Sequence, residues 1–309
     1  MNKTYWALAS AVFFAVNVTP AYAGSAATAT VGDLTFELID LAPDDGIAPS
    51  FQFTPQALPG SYASTSVQVS ASDNGGSQGS SRIDPNALSP LSVSATDLVH
   101  AGAFASVTQD GVTASGFAAG PSTSFNSSAS TSTGSYYYGG MQGVISLSAN
   151  SILLVKATGH VSAYSAVDSS SYCSWYCDQT SASVGFGLNY NYSLDASTTS
   201  YSFNDGLNTS ASGSTSDYTI YQYDPNLGYS VPVTVSAGPD SKSLDKTMVG
   251  VFTNSSSQTQ YANLSLSANV SGYGSSALPV AMVPEANGSL AGSLGLALMG
   301  WVVRRRRSV

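Results

Sequence analysis

Residues 186–194 read Phe-Gly-Leu-Asn-Tyr-Asn-Tyr-Ser-Leu, and large apolar side chains occupy every second position of this stretch. Side chains along a β-strand point alternately to opposite faces, so a period of two predicts a strand with one buried and one solvated face. The same alternation recurs at Val67–Ala71, Val231–Ala237 and Leu264–Val270. These stretches predict a chain built mainly from antiparallel strands.

Further candidate strands and turns fill most of the middle of the chain. Strands are also predicted at Leu34–Leu41, Leu91–Val99, Gly143–Ala149, Ile152–Ala163, Tyr218–Tyr223 and Thr247–Phe252. Turns are predicted at Pro43–Gly46, Asp73–Gly76, Asp84–Asn86, Gln109–Gly111, Asn204–Gly206 and Asp224–Asn226, where Gly, Pro, Asn and Asp cluster. We therefore expect an all-β fold, an antiparallel β-sandwich or jelly-roll-like domain. The pattern fits one sandwich or two.

Polar residues in this chain are mostly uncharged. Only 9% of the 309 residues are charged, against about 25% in an ordinary globular domain, while 57 residues are Ser and 24 are Thr. The 9 Lys and Arg against 18 Asp and Glu leave no basic surface for phosphates, which excludes nucleic acid as a partner. Two Ser- and Gly-rich segments, Ser72–Pro90 and Ala119–Ser135, are expected to be loops or linkers.

The first 23 residues have the three parts of a secretory signal peptide. Lys3 supplies the positive charge, the segment from Trp6 to Val18 is largely apolar, and Ala21-Tyr22-Ala23 forms a small-x-small cleavage site. Cleavage at this site would make Gly24 the first residue of the mature chain. The exported body would then span residues 24–282, with 4 basic and 17 acidic residues and a net charge of −13.

The last 27 residues, 283–309, are also tripartite. Val283, Pro284 and Glu285 precede the uncharged stretch from Ala286 to Val303, and Arg304, Arg305, Arg306 and Arg307 follow it. Eighteen residues of helix measure about 27 Å, close to the thickness of a bilayer core. A cluster of arginines stops transfer and stays on the cytoplasmic side. The pattern predicts a single C-terminal transmembrane helix that anchors an outward-facing body.

This tail resembles the PEP-CTERM sorting signal of Gram-negative bacteria, whose usual motif is Val-Pro-Glu-Pro. Ala286 stands where the second proline is expected. The resemblance implies that an exosortase-type protease recognises Val283, Pro284 and Glu285 and cuts the tail. It also implies export through the inner membrane, transient anchoring, and then release to the cell surface or the extracellular matrix. The alternative is a plain anchor that is never cut.

The resemblance covers the tail and implies a destination, not an activity. Exported bodies in this family often end in an Asn- and Ser-rich hairpin before the tail. Phe252-Thr253-Asn254-Ser255-Ser256, followed by Tyr261 to Val270, is similar to such a hairpin.

The two cysteines lie close together in Tyr172-Cys173-Ser174-Trp175-Tyr176-Cys177. In an oxidising periplasm we expect Cys173 and Cys177 to pair, with free thiols as the alternative. Metal binding by these cysteines is not expected, because neither His100 nor His160 lies at metal-ligand spacing. Trp175, with Tyr172 and Tyr176, is a candidate ligand platform, since aromatic rings stack on sugar rings. The alternative is that these rings close the ends of the sandwich.

Catalytic and metal-binding motifs are weak. Residues 75–79 match Gly-x-Ser-x-Gly with Ser77 at the centre, but that motif requires a following helix and none is predicted. The only candidates for a base are the two histidines, and Glu37 is the only Glu in the body. Asp40, Asp44 and Asp45 crowd one turn and are weak candidate calcium ligands, although Asp in a turn commonly bonds its own backbone. We therefore predict no enzymatic activity and no cofactor.

The sequence favours a non-enzymatic structural protein of the bacterial surface or of a biofilm matrix. The expected partners are an exosortase-type protease and extracellular polysaccharide. The alternative is a secreted carbohydrate-binding or adhesin-like module that uses the Trp175 platform.

Overall fold

The protein is described by a computed structural model over residues 24–54, 61–120, 122–135, 145–166, 178–194, 197–213, 218–224, 228–235 and 238–274. Every regular element within these ranges is a β-strand, and none is a helix. The predicted all-β, antiparallel fold class is therefore confirmed for this part of the chain.

Sixteen strands are present in the described residues. They are β1 (Ser25–Asp40), β2 (Phe51–Phe53), β3 (Ser61–Asp73), β4 (Gly76–Asp84), β5 (Leu91–Ala95), β6 (Ala101–Thr108), β7 (Gly111–Ala118), β8 (Thr123–Ser135), β9 (Ile145–Leu147), β10 (Ser151–Ser165), β11 (Asp178–Leu194), β12 (Ser197–Gly213), β13 (Tyr218–Asp224), β14 (Tyr229–Val235), β15 (Asp240–Asn254) and β16 (Gln260–Gly274).

The strands form two large antiparallel sheets. The first sheet has the order β15-β10-β1-β7-β6-β5, and the second has the order β12-β11-β16-β8-β3-β4. The short strands β2 and β9 extend the second sheet beside β16, and β13 pairs with β14 in a separate hairpin. The sheets face each other along their whole width, since β15 packs near β12 at one side and β5 near β4 at the other.

The core lies between the two sheets and follows from the period-two patterns. Every second residue of β10 from Ser151 to Ser165 is buried, and Val184, Phe186 and Leu188 of β11 point inward from the opposite sheet. The largest fully buried side chains include Phe186, Phe252, Leu153, Leu188 and Met248. Burying a side chain of this size stabilises the fold by roughly 1.5–3 kcal/mol, so this apolar layer holds the sheets together.

One irregularity changes which residues of β1 face the core. The pairing of β1 with β10 shifts register between Gly32 and Thr35, and Asp33 has a left-handed backbone with φ of 54°. A bulge of this kind inserts one extra residue into the strand, so the alternation of buried and exposed side chains is reversed after it. Before the bulge the odd-numbered residues are buried, and after it they are exposed.

Both segments expected to be loops are largely strands. Ser72–Pro90 contains β4, which pairs with β3, and Ala119–Ser135 contains β8, which lies between β3 and β16. Gly has low strand propensity, but here Ser and Gly lie on a regular sheet, where serine hydroxyls bond across strands. The turn predicted at Asn204–Gly206 is also wrong, because these residues lie in the middle of β12.

The Asn- and Ser-rich hairpin expected after Phe252 is likewise wrong. β15 belongs to the first sheet and β16 to the second, so residues 255–259 carry the chain from one sheet to the other. Asn254 directs this crossing through its buried amide. The turn predicted at Asp73–Gly76 is confirmed, since Asp73 and Gly76 close the β3–β4 hairpin.

The two ends of the described domain lie together. Ser25 Oγ, at the start of β1, donates a hydrogen bond to the carbonyl of Tyr273 near the end of β16, with an O···O distance of 2.7 Å. Within the described ranges no helix is long and apolar enough to cross a bilayer. The predicted C-terminal helix lies outside those ranges.

Candidate functional site: the uncharged outer face of the second sheet

The outer face of the second sheet has an unusual composition. The outward positions given below, on β4, β3, β8, β16, β11 and β12, carry Ser, Asn, Gln and Gly, with Ile83 as an apolar exception and no charged residue among them. Tyr273, near the end of β16, is exposed on the same side of the sheet. The positions are Ser77, Gly79, Ser81 and Ile83; Ser64, Ser66, Gln68, Ser70 and Ser72; Ser124, Asn126, Ser128, Ser130 and Ser132; Asn263, Ser265, Ser267, Asn269 and Ser271; Ser181, Ser183, Gly185, Gly187 and Asn189; and Ser202, Asn204, Gly206, Asn208 and Ser210. We call this surface the hydroxyl face.

The strand register arranges these side chains in rows across the sheet. One row runs Asn204, Gly187, Ser265, Ser132 and Ser64. Neighbouring strands are about 4.8 Å apart, and outward residues along one strand about 6.8 Å apart. The hydroxyl face is therefore a regular two-dimensional array of polar groups.

Some of these groups bond each other across strands. The hydroxyls of Ser66 and Ser130 are 2.9 Å apart, and those of Ser181 and Ser271 are 2.8 Å apart. These bonds explain how serine-rich strands stay in register, since cross-strand hydroxyl pairs contribute to sheet stability.

A groove runs over β11, where two outward positions have no side chain. A methyl group at Gly185 would lie 2.8 Å from Ser267 Oγ, and one at Gly187 would lie 3.0 Å from Asn204 Oδ1 and in contact with Ser265 Oγ. The groove has a volume of about 360 Å³. Within the described residues, the hydroxyls of Ser265 and Ser267 have no protein hydrogen-bond partner, so they are available to a ligand.

At the β12 edge of this surface, charged groups link the two sheets. Lys246, which comes from β15 of the first sheet, bonds Asp205 of β12. The hydrogen bond from Lys246 lowers the pKa of Asp205 despite some opposing burial. Lys242 donates to the carbonyl of Ser210 at 2.9 Å, so the two lysines join the sheets along this side.

The outer face of the first sheet differs in kind. It carries the ion pair between Lys156 Nζ and Glu37 Oε2 at 2.8 Å, and His160 Nδ1 lies 2.7 Å from Asp245 Oδ1. Exposed apolar side chains, including Ile39 and Val251, lie on the same face. The absence of charge is therefore a local property of the second sheet.

The chemistry of the hydroxyl face suits partners that are themselves polyhydroxylated. A serine hydroxyl both donates and accepts hydrogen bonds, and Asn and Gln amides present a donor and an acceptor side by side. Carboxylates only accept and ammonium groups only donate. An uncharged array can therefore match sugar hydroxyls without the cost of removing water from ions.

Two of the three aspartates proposed as calcium ligands, Asp40 and Asp45, accept hydrogen bonds from nearby backbone amides. Asp40 Oδ1 accepts from the Ala42 amide at 2.9 Å, and Asp45 Oδ1 accepts from the Ile47 amide at 2.7 Å. Among the described residues, no three His, Cys, Asp or Glu side chains come together as a metal site. Asp44 lies in the same exposed turn.

The residues considered for catalysis lie on ordinary strands and turns. Ser77 is in β4 opposite Ser72, and a strand rather than a helix follows the Gly75–Gly79 motif. His160 is on the outer face of β10, whereas His100 lies in the segment before β6 and its carbonyl accepts from the Ala119 amide. Glu37 is on β1, paired with Lys156. The Ser77 motif thus lacks the helix that a nucleophile elbow requires.

Most of the other predicted site residues lie outside the described ranges. These are Ala21 and Ala23; Tyr172, Cys173, Trp175, Tyr176 and Cys177; Val283, Pro284 and Glu285; and Arg304, Arg305, Arg306 and Arg307. Gly24 is described, and it is buried immediately before β1.

The hydroxyl face was not predicted from the sequence. The available signal was a period of two in which Ser or Asn alternates with a residue suited to burial, as in residues 64–72 and 124–132. No protein-family model matches the chain, and no curated protein matches it at a significant level.

Proposed function

We propose that the chain is an exported, non-enzymatic protein of the bacterial surface or extracellular matrix, sorted by an exosortase-type protease. The proposed architecture is a β-sandwich, jelly-roll-like in type, fastened by a single C-terminal transmembrane helix before processing. The observation that carries the proposal is the pair of end signals, because a signal peptide and a Val-Pro-Glu, apolar and Arg-rich tail enclose one β-rich body.

The hydroxyl face supports a role in a polysaccharide matrix. Its serines and amides offer many weak hydrogen bonds over a broad area, which favours contact with a long uncharged glycan. The groove over Gly185 and Gly187, walled by Ser265 and Ser267, gives such a chain a place to lie. Extracellular neutral polysaccharide is therefore the partner we propose, in place of a site built around Trp175.

Sorting is tested by fractionating cells with and without an exosortase and measuring the intact mass of the protein. We expect an extracellular species that begins at Gly24 and lacks the arginine cluster only when the protease is present. A membrane-bound species that keeps Arg304–Arg307 in both hosts would overturn sorting and leave a plain anchored protein.

Glycan binding is tested separately with cellulose, chitin and dextran as uncharged polymers and alginate as the anionic control. We expect retention on at least one uncharged polymer. Ser267→Glu and Ser130→Glu each place a carboxylate at the centre of the hydroxyl face, on adjacent strands. Each change should weaken retention about tenfold, because the new charge must lose its water when the polymer binds.

Ser115→Glu is the matched control, since Ser115 is half-buried on the central strand β7 of the first sheet. Circular dichroism confirms that each variant folds. Equal loss in all three variants, or no retention of the parent protein on any uncharged polymer, would refute the assignment of the hydroxyl face.

A further inference from the structure

A fully buried carboxylate lies where the two ends of the domain meet. Asp178 is the first residue of β11 and has no exposed surface. Its carbonyl accepts from Ser165 Oγ at 2.7 Å, and Ser165 is itself fully buried and accepts from the Gly213 amide. Burial, and secondarily the negative charge of Asp178, raise the pKa of the nearby Tyr164. A cation beside a buried carboxylate adds to the interactions that the carboxylate already makes, when the geometry of the pair is good.

Gly24 lies directly against this carboxylate. A methyl group on its Cα would be 3.0 Å from Asp178 Oδ2 and 3.1 Å from the carbonyl of Ala118. The Gly24 carbonyl accepts from the Ala166 amide at 2.7 Å, which continues the β1–β10 ladder and fixes the residue in place. Because the backbone nitrogen is only about 1.46 Å from Cα, it also lies within a few ångströms of Asp178.

Gly24 is also the residue that the sequence predicts as the new N-terminus. We infer that removal of the signal peptide after Ala23 completes a buried ion pair between the α-ammonium group of Gly24 and the carboxylate of Asp178. Hydrolysis of the Ala23–Gly24 bond consumes one water, and Ala23 leaves as a carboxylate. The neutral amide nitrogen of Gly24 becomes an amine that takes up a proton, since α-amino groups have a pKa of about 7.7–8.0.

The consequence is a domain that gains stability when it is processed. In the precursor the Gly24 nitrogen is an uncharged amide, and Asp178 keeps the interactions that it makes with other residues. In the mature chain the ammonium adds a partner of opposite charge at a site shielded from water. The inference rests on the export signal of the proposed function but is independent of glycan binding and of tail cleavage.

The test compares full-length chains purified in detergent from a secreting host, with N-terminal sequencing to establish the first residue. One chain begins at Gly24, and a second carries one Ala inserted between Ala23 and Gly24, which displaces the ammonium by one residue. We expect the longer chain to melt about 5 °C lower or more. In the Asp178→Asn background the same insertion should change Tm by less than about 1 °C, because the partner is gone.

Asp110→Asn is the matched control, since it removes an acidic residue in the β6–β7 turn far from Gly24 in sequence. In that background the insertion should retain its full effect. If Asp178→Asn does not fold, the rate at which an acylating reagent modifies the α-amine of the parent chain tests the inference. A paired α-amine should react at least tenfold more slowly in the folded chain than in the denatured chain. Equal melting of the two chains, or an α-amine that reacts as fast as in the denatured chain, would overturn the inference.

Discussion

Asn254 shows how much a single buried amide contributes to this fold. Its side-chain nitrogen donates to the carbonyls of Leu147 at 3.0 Å, Ser148 at 2.8 Å and Gln258 at 2.8 Å, and its oxygen accepts from Ser256. These bonds hold β9 and residues 255–259 where the chain crosses between sheets. No other residue type offers both sets of bonds in this shape.

Replacing Asn254 should therefore be costly. Asn254→Ala removes the Asn254 donor from the carbonyls of Leu147 and Ser148, and each lost bond is worth roughly 1–3 kcal/mol. We therefore expect a loss of about 3 kcal/mol in the free energy of unfolding. Urea denaturation followed by tyrosine fluorescence measures this loss. Asn208→Ala, on the exposed face of β12, is the control, and an equally small effect of both changes would contradict the assigned role.

At the scale of elements, the edge strands β12 and β15 are joined by lysines. Lys246 lowers the pKa of Asp205 through its hydrogen bond. A carboxyl group whose pKa is lower in the folded state than in the unfolded state stabilises the protein. This contribution is complete at pH values above the unfolded pKa of about 3.9. It is lost as the pH falls through the pKa of the folded state. Both groups are partly exposed, so the contribution is at most about 1 kcal/mol.

Asp205→Asn should accordingly lower Tm by about 1–3 °C at pH 7. The difference should shrink as pH falls below about 3.9, the unfolded value, and vanish once the parent carboxyl is protonated in the folded state. Thermal melts at a series of pH values, with Asp110→Asn as the control, measure the difference. A difference that stays constant down to pH 2 would show that Asp205 acts through packing and not through its charge.

The strands could be predicted from the sequence wherever large apolar residues mark the buried face. β10 and β16 carry Leu, Val and Ala at alternate buried positions. β10 was predicted close to its observed bounds, whereas the predicted Leu264–Val270 covers only the middle of β16. β4 and β8 were missed because their outward residues are Ser and Gly, which resemble a linker when read locally. β8 becomes a strand because β3 and β16 supply hydrogen bonds on both sides, and no local pattern reveals such neighbours.

The same limit applies to the hydroxyl face. Each of its strands shows only alternate polar residues, and the array exists because the register places Ser265 beside Ser132 and Gly187. The groove depends on glycines of β11 lying between serines of β16 and Asn204 of β12, which are distant in sequence. Pairing between strands is a property of the whole fold, so the site was out of reach of motif analysis.

For the molecule as a whole, the charged residues and the proposed binding surface are separated. Residues 24–282 carry a net charge of −13, yet the outward positions of the hydroxyl face carry no charged residue. Binding to an uncharged polysaccharide should therefore change less than about twofold between 0.05 and 0.5 M NaCl, because no ions are paired or screened in the contact. Affinity electrophoresis in gels that contain the polymer measures this dependence. A steep loss of binding with salt would place the contact on a charged surface instead.

The position of β16 has a mechanical consequence. This strand lies inside the second sheet, hydrogen-bonded to β8 on one side and β11 on the other, and it ends at Gly274. A pull transmitted through the chain after Gly274 is directed along the strand, so the bonds to both neighbours are loaded together in shear and not opened one at a time. If force reaches the domain through that segment, the domain resists extraction of its last strand. Single-molecule pulling from the C-terminus should therefore record a higher rupture force than pulling across the edge strand β4.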